Sequence, residues 1–217
     1  MYGHRMELTA GELRIVMRPY SAGEATEAVD GFQRYSVMQY LFPLWSAQTL
    51  ADEEAFIERI RTDEHQVLWA VCVVQDGKEI PVGSTSIRLD QKRGLSGIAL
   101  YKKEWWGKGI ASATHAARTV YAFDVLDLVA IDSKVILANG GSLRALEKVG
   151  YCRTGIDYHI KVVAGEVCHA VRLTLVNPSP RAWGYFWGDT PVPPEFAAAR
   201  AVTEQALEAA RRNVVLA

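Results

Sequence analysis

Two stretches in the middle of the chain set its rhythm. Residues 66–75, QVLWAVCVVQ, run almost unbroken in large apolar and β-branched residues, and residues 80–89, IPVGSTSIRL, follow in the same β-rich style. Asp76-Gly77 lies between them, a pair suited to a tight turn, so the pattern predicts a hairpin. LSGIALY (Leu95 to Tyr101) predicts a third strand of this meander. Upstream, LRIVMRPY (Leu13 to Tyr20) predicts a first strand closed by proline. Ser21 is then placed to cap a helix over 22–41 that Pro43 breaks. Thr49 or Ala51-Asp52 opens a second helix, with Phe56, Ile57 and Ile60 on one face. Downstream come a helix within Glu104–Phe123, a strand over Leu128–Ile136 and a helix over Asn139–Gly150. A final hairpin turns at Ala164-Gly165. Strand, two helices, three strands, helix, strand, helix, two strands predicts an α/β (α+β) domain on a mixed, mostly antiparallel sheet flanked by helices.

The last forty residues break the rhythm. Pro178, Pro180, Pro191, Pro193 and Pro194 are interleaved with Trp183, Tyr185, Phe186 and Trp187. The prolines argue against regular structure there, while the aromatics demand burial. Glu195–Val215 is alanine-rich, with acids early and Arg211-Arg212 late, and predicts a helix. The expected division is a domain over residues 11–176 and a C-terminal extension over 177–217, an aromatic clamp plus helix packing on the domain or on a second subunit as a homodimer.

Composition narrows the function. In 217 residues, 24 Lys and Arg nearly balance 25 Asp and Glu, with no basic run. That argues against a nucleic-acid or membrane-surface partner. No apolar run approaches a membrane span, and the N-terminal stretch lacks a basic-then-apolar leader. Cys72, Cys152 and Cys168 have no paired or metal-ligand spacing and read as reduced core residues, which fits a cytoplasmic protein. His4, His65 and His115 are not spaced as metal ligands, so no metal is expected. Trp105-Trp106 could stack bases, but without alternating basic residues a core or pocket wall is the better reading. Trp45, in YLFPLW, reads either as simple packing or as part of a hydrophobic wall.

The candidate chemistry begins at EWWGKGIASATHAARTVYAF. Gly107 and Gly109 let backbone approach a ligand, and the helix that follows offers unpaired N–H groups at its first turn. With Lys108 alongside, this suits phosphate or pyrophosphate. A tight turn that binds nothing has the same local pattern. A third glycine and a strand-borne acid are missing for a dinucleotide fingerprint, and no Ser or Thr follows Lys108 as a Walker loop requires.

A second stretch, IDSKVILANGGSLRALEKVGYCRTG, sets Asn139 at a strand-to-helix junction, followed by Ser142, Glu147-Lys148 and Gly150-Tyr151. Together the two stretches resemble the GNAT superfamily of acyl-coenzyme A N-acyltransferases, in its branch of RimJ/RimL-type ribosomal-protein N-terminal acetyltransferases. The superfamily motif Gln/Arg-x-x-Gly-x-Gly/Ala falls on Trp106, Gly107, Lys108, Gly109, Ile110 and Ala111. Trp106 stands where Gln or Arg is usual, a replacement familiar in the Rim-type branch. Asn-x-x-Ser and Glu-Lys-x-Gly-Phe/Tyr fall on Asn139, Ser142, Glu147, Lys148, Gly150 and Tyr151. The resemblance spans Leu13–Val176 and leaves the tail uncovered.

What the resemblance implies is specific. Acetyl-CoA is the cosubstrate. Two strands splay near Leu100 and Ile131, so that main-chain groups bond pantetheine like an added strand. The amides of Gly107 to Ala111 hold the pyrophosphate. A main-chain N–H at Leu100 or Tyr101 polarises the thioester carbonyl. Ser142 is the candidate proton donor, and Asn139 contacts pantetheine or holds a water; helix capping is the alternative for both. The tyrosine that many members carry on the last helix is Leu146 here, and a common glutamate is replaced by Ala113. The base is open among Glu104, His115, Asp157, His159, His169 and a water chain. The expected reaction is acetyl transfer to a primary amine, either a protein N-terminal α-amine or a small amine such as a polyamine, an aminoglycoside or an amino-acid-like metabolite. A catalytically silent CoA-binding module is the reading from a different class.

Overall fold

The computed structural model describes residues 1–42 and 49–216; Pro43 and Trp45 lie outside the described residues. The chain divides into two compact units. One holds Met1–Arg88, Gly97–Ile110 and Val214–Ala217; the other holds Leu89–Ser96 and Ala111–Asn213.

The first unit is built on β1 (Met6–Ala10), β2 (Leu13–Arg18), β3 (Gln66–Gln75), β4 (Lys78–Asp90), the second half of β5 (Arg93–Leu100) and β9 (Val215–Leu216). Its strands lie in the order β5-β4-β3-β2-β1-β9. Two-residue turns close the first two hairpins: Gly11-Glu12, with Gly11 at φ 60°, and Asp76-Gly77, with φ 50° and 73°. Both are geometries whose twist matches that of paired strands. Ile15, Met17, Val71 and Val73 are buried on one face, and Val16, Ala70 and Cys72 pack with Tyr20 and Val74 on the other. That two-sided burial explains the unbroken apolar run of β3. β1 and β9 were not anticipated. MELTA is short, and β9 is two residues long and gains its ladder only by meeting β1.

The helix expected after Ser21 is two pieces. α1 (Ala25–Phe32) has Glu24 at its N-cap, and α2 (Tyr35–Met38) follows an extended Arg34. Ser21 does not cap with its side chain. Its N–H donates to the Glu24 carboxylate at 2.7 Å, and Glu24 is gripped by Arg18 through bonds of 2.6 and 2.9 Å. α3 (Leu50–Thr62) starts as anticipated, with Thr49 and Asp52 forming a reciprocal capping box. Its buried face contains Glu53 as well as Ile60.

The second unit orders its strands β7 (Cys152–Val163), β8 (Glu166–Val176), β6 (Ala130–Ile136) and the first half of β5. β6 runs parallel to β5, the one parallel pairing among the described ladders. α4 (Ile110–Val120) continues as a π-helical turn over Tyr121–Val125. α5 (Gly140–Glu147) buries Leu143, Ala145 and Leu146. β7 and β8 turn at Ala164-Gly165 as expected, with φ 51° and 82°.

The tail is more regular than its prolines suggested. α6 (Pro180–Trp187) is helical because Pro180 occupies the first turn, where no N–H is needed, and Ser179 caps it. α7 (Pro194–Asn213) again begins on a proline. Phe196 is buried with Cys152 and Val176, and Trp183, Phe186, Trp187 and Val192 close around them.

Candidate active site

The site begins with a break in pairing. The β5–β6 ladder runs from Arg93–Ala130 to Ser96–Ser133 and ends there, four residues before β5 does. Successive residues of a strand turn their main-chain groups to opposite edges. The Tyr101 N–H donates to the Val82 carbonyl of β4 at 3.0 Å. The N–H groups of Ile98 and Leu100 therefore face the opposite edge, the one the ladder has left. Both residues are half-buried.

A bulge fixes where β5 stops. In the β3–β4 ladder Val71 pairs with Gly83 and Cys72 with Pro81, leaving Val82 as the extra residue. Its carbonyl accepts the N–H of Tyr101 and, at 3.4 Å, that of Lys102. Sequence reasoning missed this bulge, although Pro81 signalled it, since proline inside a strand is tolerated at bulges. Gly83 lets the strands close up: a Cβ there would lie 2.5 Å from the Ala99 carbonyl oxygen.

From the bulge the chain curls through a 3₁₀ turn, Lys103–Trp105, into the glycine loop. Trp106 folds back, and its indole N–H donates to the Leu100 carbonyl at 2.8 Å. Its ring joins Phe32 and Leu41 against buried Ala28, Val37 and Tyr101. Gly107 and Gly109 have φ 74° and 81°, in the left-handed region. Among the described residues, a Cβ at Gly107 would meet nothing within 4 Å, and one at Gly109 only Ala10 at 3.7 Å. Backbone conformation, not crowding, thus calls for glycine. Gly107, Lys108 and Gly109 are exposed, Ile110 is buried, and no acid lies in the first turn of α4. The Lys108 ammonium sits 4.5 Å from the Trp105 ring centroid. Main-chain amides at such a helix start suit an anion, and a cation lies beside them.

In the second unit Asn139 is the N-cap of α5. Its side-chain oxygen accepts the Ser142 N–H at 3.1 Å, and both residues are half-buried. The capping alternative therefore holds for Asn139, while the Ser142 hydroxyl is not the capping group. Ala111 is half-buried at the start of α4. Leu146 is 1% exposed, inside the core that α5 covers.

The candidate bases separate by environment. His115 is buried, and burial together with the Arg118 charge holds it well below the usual histidine range. Its Nδ1 lies 2.8 Å from the Arg118 guanidinium, which reaches the Tyr151 hydroxyl at 3.5 Å. Asp157 pairs with Lys134 at 2.7 Å and Arg172 at 3.1 Å, and the bond to Lys134 lowers its pKa. His159 stands in a bulge of β7 with φ 51° and donates its N–H to His169 Nδ1 at 2.9 Å. Glu104 is exposed on the 3₁₀ turn. Burial pushes the Cys72 thiol up to about 12 and Cys152 up to about 11, so neither is a thiolate near neutrality. Cys168, expected in the core, is only half-buried on the β7–β8 hairpin. Among the described residues no group of three or more His, Cys, Asp or Glu is placed to hold a metal ion, and no helix is long and apolar enough to cross a membrane.

The family model described as Acetyltransferase (GNAT) domain matches residues 14–151. Among curated proteins none matches the chain. Among solved structures, Mycobacterium smegmatis RimJ in complex with CoA-disulfide is similar with a TM-score of 0.66 at 16% identity, over 93% of each chain. That share exceeds what residues 1–176 alone supply, so this likeness of fold reaches into the tail that the sequence resemblance left uncovered. Spermidine N-acetyltransferase from Vibrio cholerae, in complex with CoA and spermine, has a TM-score of 0.65 at 18% identity, over 75% of this chain and 95% of its own. A GNAT-family acetyltransferase from Bacillus anthracis has a TM-score of 0.61 at 20% identity, over 78% of this chain and 98% of its own.

Proposed function

The chain belongs to the GNAT acetyltransferase family, and from that premise we propose that it moves an acetyl group from acetyl-CoA to the α-amino group of a protein N-terminus. The observation that carries the reading is the exposed Gly107–Lys108–Gly109 loop, with both glycines left-handed, opening directly into α4. Its amides suit a pyrophosphate, with Lys108 as the accompanying cation. Pantetheine pairs along the open edge of β5 at Ile98 and Leu100, as an added strand would.

The Leu100 N–H polarises the thioester carbonyl. Tyr101 is the poorer donor because its N–H is engaged by Val82. A neutral amine attacks the carbonyl carbon, the C–S bond breaks, and the proton shed by the nitrogen passes through water and the Ser142 hydroxyl to the departing thiolate. Asn139 fixes the first turn of α5 that carries Ser142. No covalent enzyme intermediate is needed.

The acceptor assignment rests on two supports. The Rim-type motif on Trp106–Ala111 and Asn139–Tyr151 is one, joined by the likeness of fold to RimJ along most of both chains. The chemistry of the base is the other. Among the candidates, His115 is neutral and buried and Asp157 is held ionised by its partners, so neither is a strong base near neutrality. An α-amine, with a pKa of roughly 8, has a useful neutral fraction near neutrality; a side-chain amine near 10 does not. A small amine remains the second reading, favoured by the similarity to spermidine N-acetyltransferase. Thiol release from acetyl-CoA over a panel of peptides with free N-termini, their N-blocked lysine counterparts and polyamines tests the assignment. Turnover of free α-amines should dominate. Turnover of polyamines alone transfers the assignment to small amines, and CoA binding without turnover on any acceptor identifies a silent module.

A further inference from the structure

We propose that Trp106 is a positioning residue for the carbonyl-polarising amide, a role carried by its indole N–H rather than by its ring. The inference rests on the acetyltransferase reading above. It starts from one peptide group, the bond between Leu100 and Tyr101. Its carbonyl accepts the Trp106 indole N–H at 2.8 Å, and its N–H donates to Val82 at 3.0 Å. The plane is thus held at both ends, from opposite edges of the strand.

That clamp matters because of what lies beside it. The Leu100 N–H belongs to the preceding peptide, hinged to the clamped plane at one α-carbon, and it faces the open edge. Polarising donors act by being fixed in place before charge develops, so orientation is what they contribute. Among the described ladders none orders that edge of β5 beyond Ser96. Trp106 supplies a replacement from six residues further along the chain.

The site is built for this donor. Phe32, Leu41 and the Trp106 ring pack against buried Ala28, Val37 and Tyr101, which fixes the indole. Tyr101 presses on Gly31, where a Cβ would lie 2.3 Å from the Tyr101 Cβ. The superfamily motif has Gln or Arg at position 106, and the tryptophan departs from it. Here the residue turns back to the strand as a donor.

Two variants separate the N–H from the ring: Trp106→Phe, and full-length protein carrying benzothienylalanine at 106, in which sulfur replaces the N–H within the same outline. CoA affinity is measured by calorimetry, kcat with a saturating peptide, and the carbonyl stretch of bound, carbonyl-labelled acetyl-CoA by infrared difference spectroscopy. The expected result for both is unchanged CoA affinity, a kcat reduced about tenfold, below the loss seen when a donor itself is removed, and a carbonyl band shifted back toward that of the free thioester. Weakened CoA binding at unchanged kcat would make Trp106 a wall of the cofactor site and overturn the proposal. So would the sulfur analogue matching the native enzyme in kcat and carbonyl band, whether or not the phenylalanine variant folds. Absence of CoA binding by the native protein instead overturns the acetyltransferase reading on which the proposal rests.

Discussion

The side chain of Asn139 closes the first turn of α5 by accepting the Ser142 N–H at 3.1 Å. The two residues are thereby joined through Ser142's backbone, leaving its hydroxyl out of the cap. Their substitutions should separate. Asn139→Ala removes the cap and should cost about 1 kcal/mol of stability, while Asn139→Asp keeps an acceptor and most of that stability. Ser142→Ala should leave urea unfolding unchanged and lower kcat, if the hydroxyl delivers the proton to the thiolate. A Ser142→Ala enzyme with native kcat would remove it from the chemistry.

Left-handed backbone at Gly107 and Gly109, each with room for a Cβ among the described residues, gives a second prediction. Alanine at either position must hold a conformation costing roughly 1–2 kcal/mol for a residue with a Cβ. The loop should relax, and calorimetry should find CoA binding weakened at least tenfold for Gly109→Ala. Cooperative unfolding should persist, since the loop is exposed.

Leu146 occupies the position where many family members have a catalytic tyrosine, and it is buried. Leu146→Tyr should therefore not raise activity. It should overpack the core beneath α5 and cost about 1–3 kcal/mol. Leu146→Ala should cost about 2–5 kcal/mol by leaving a cavity. Chemical denaturation measures both.

His115 makes stability depend on pH with a definite sign. Burial and Arg118 lower its folded pKa below the unfolded value near 6.5. Below that value the unfolded chain binds a proton that the folded chain refuses, so stability must fall as pH drops. Its contribution is complete above about pH 6.5 and is lost toward the lower folded pKa. Glu79 adds to the same trend at lower pH. Its bonds to Arg5 and Arg18 depress its folded pKa, so its contribution is present above the ordinary glutamate range and lost below it. Urea unfolding between pH 7 and 5 should show a slope that His115→Gln flattens, while Glu79→Gln flattens only the steeper fall below about pH 4.5.

Phe196 ties the tail to β7 and β8 through Cys152 and Val176. Removing Asn177–Ala217 would bare that cluster and strip β9 from β1. The truncated chain should aggregate or lose cooperative unfolding, and Phe196→Ala should cost about 3 kcal/mol. A soluble, equally active truncation, unchanged in mass by light scattering, would show that the tail is dispensable.

The sequence by itself determined what local chemistry decides. Asp76-Gly77 and Ala164-Gly165 mark tight turns, Thr49 and Asp52 form their box within one helical turn, and Gly107 and Gly109 mark backbone free of a Cβ. Each is legible because its partners lie within a few residues. Tertiary structure alone decided the rest. β9 exists because it meets β1, and the Val82 carbonyl accepts the amides of Tyr101 and Lys102 from just past the end of β5. The candidate site divides along the same line. Its glycine loop and its Asn139 cap stand in the primary structure. The choice of Leu100 over Tyr101 as donor required knowing that Val82 had already taken the Tyr101 N–H, because hydrogen bonds between residues far apart in the chain leave no local pattern to read.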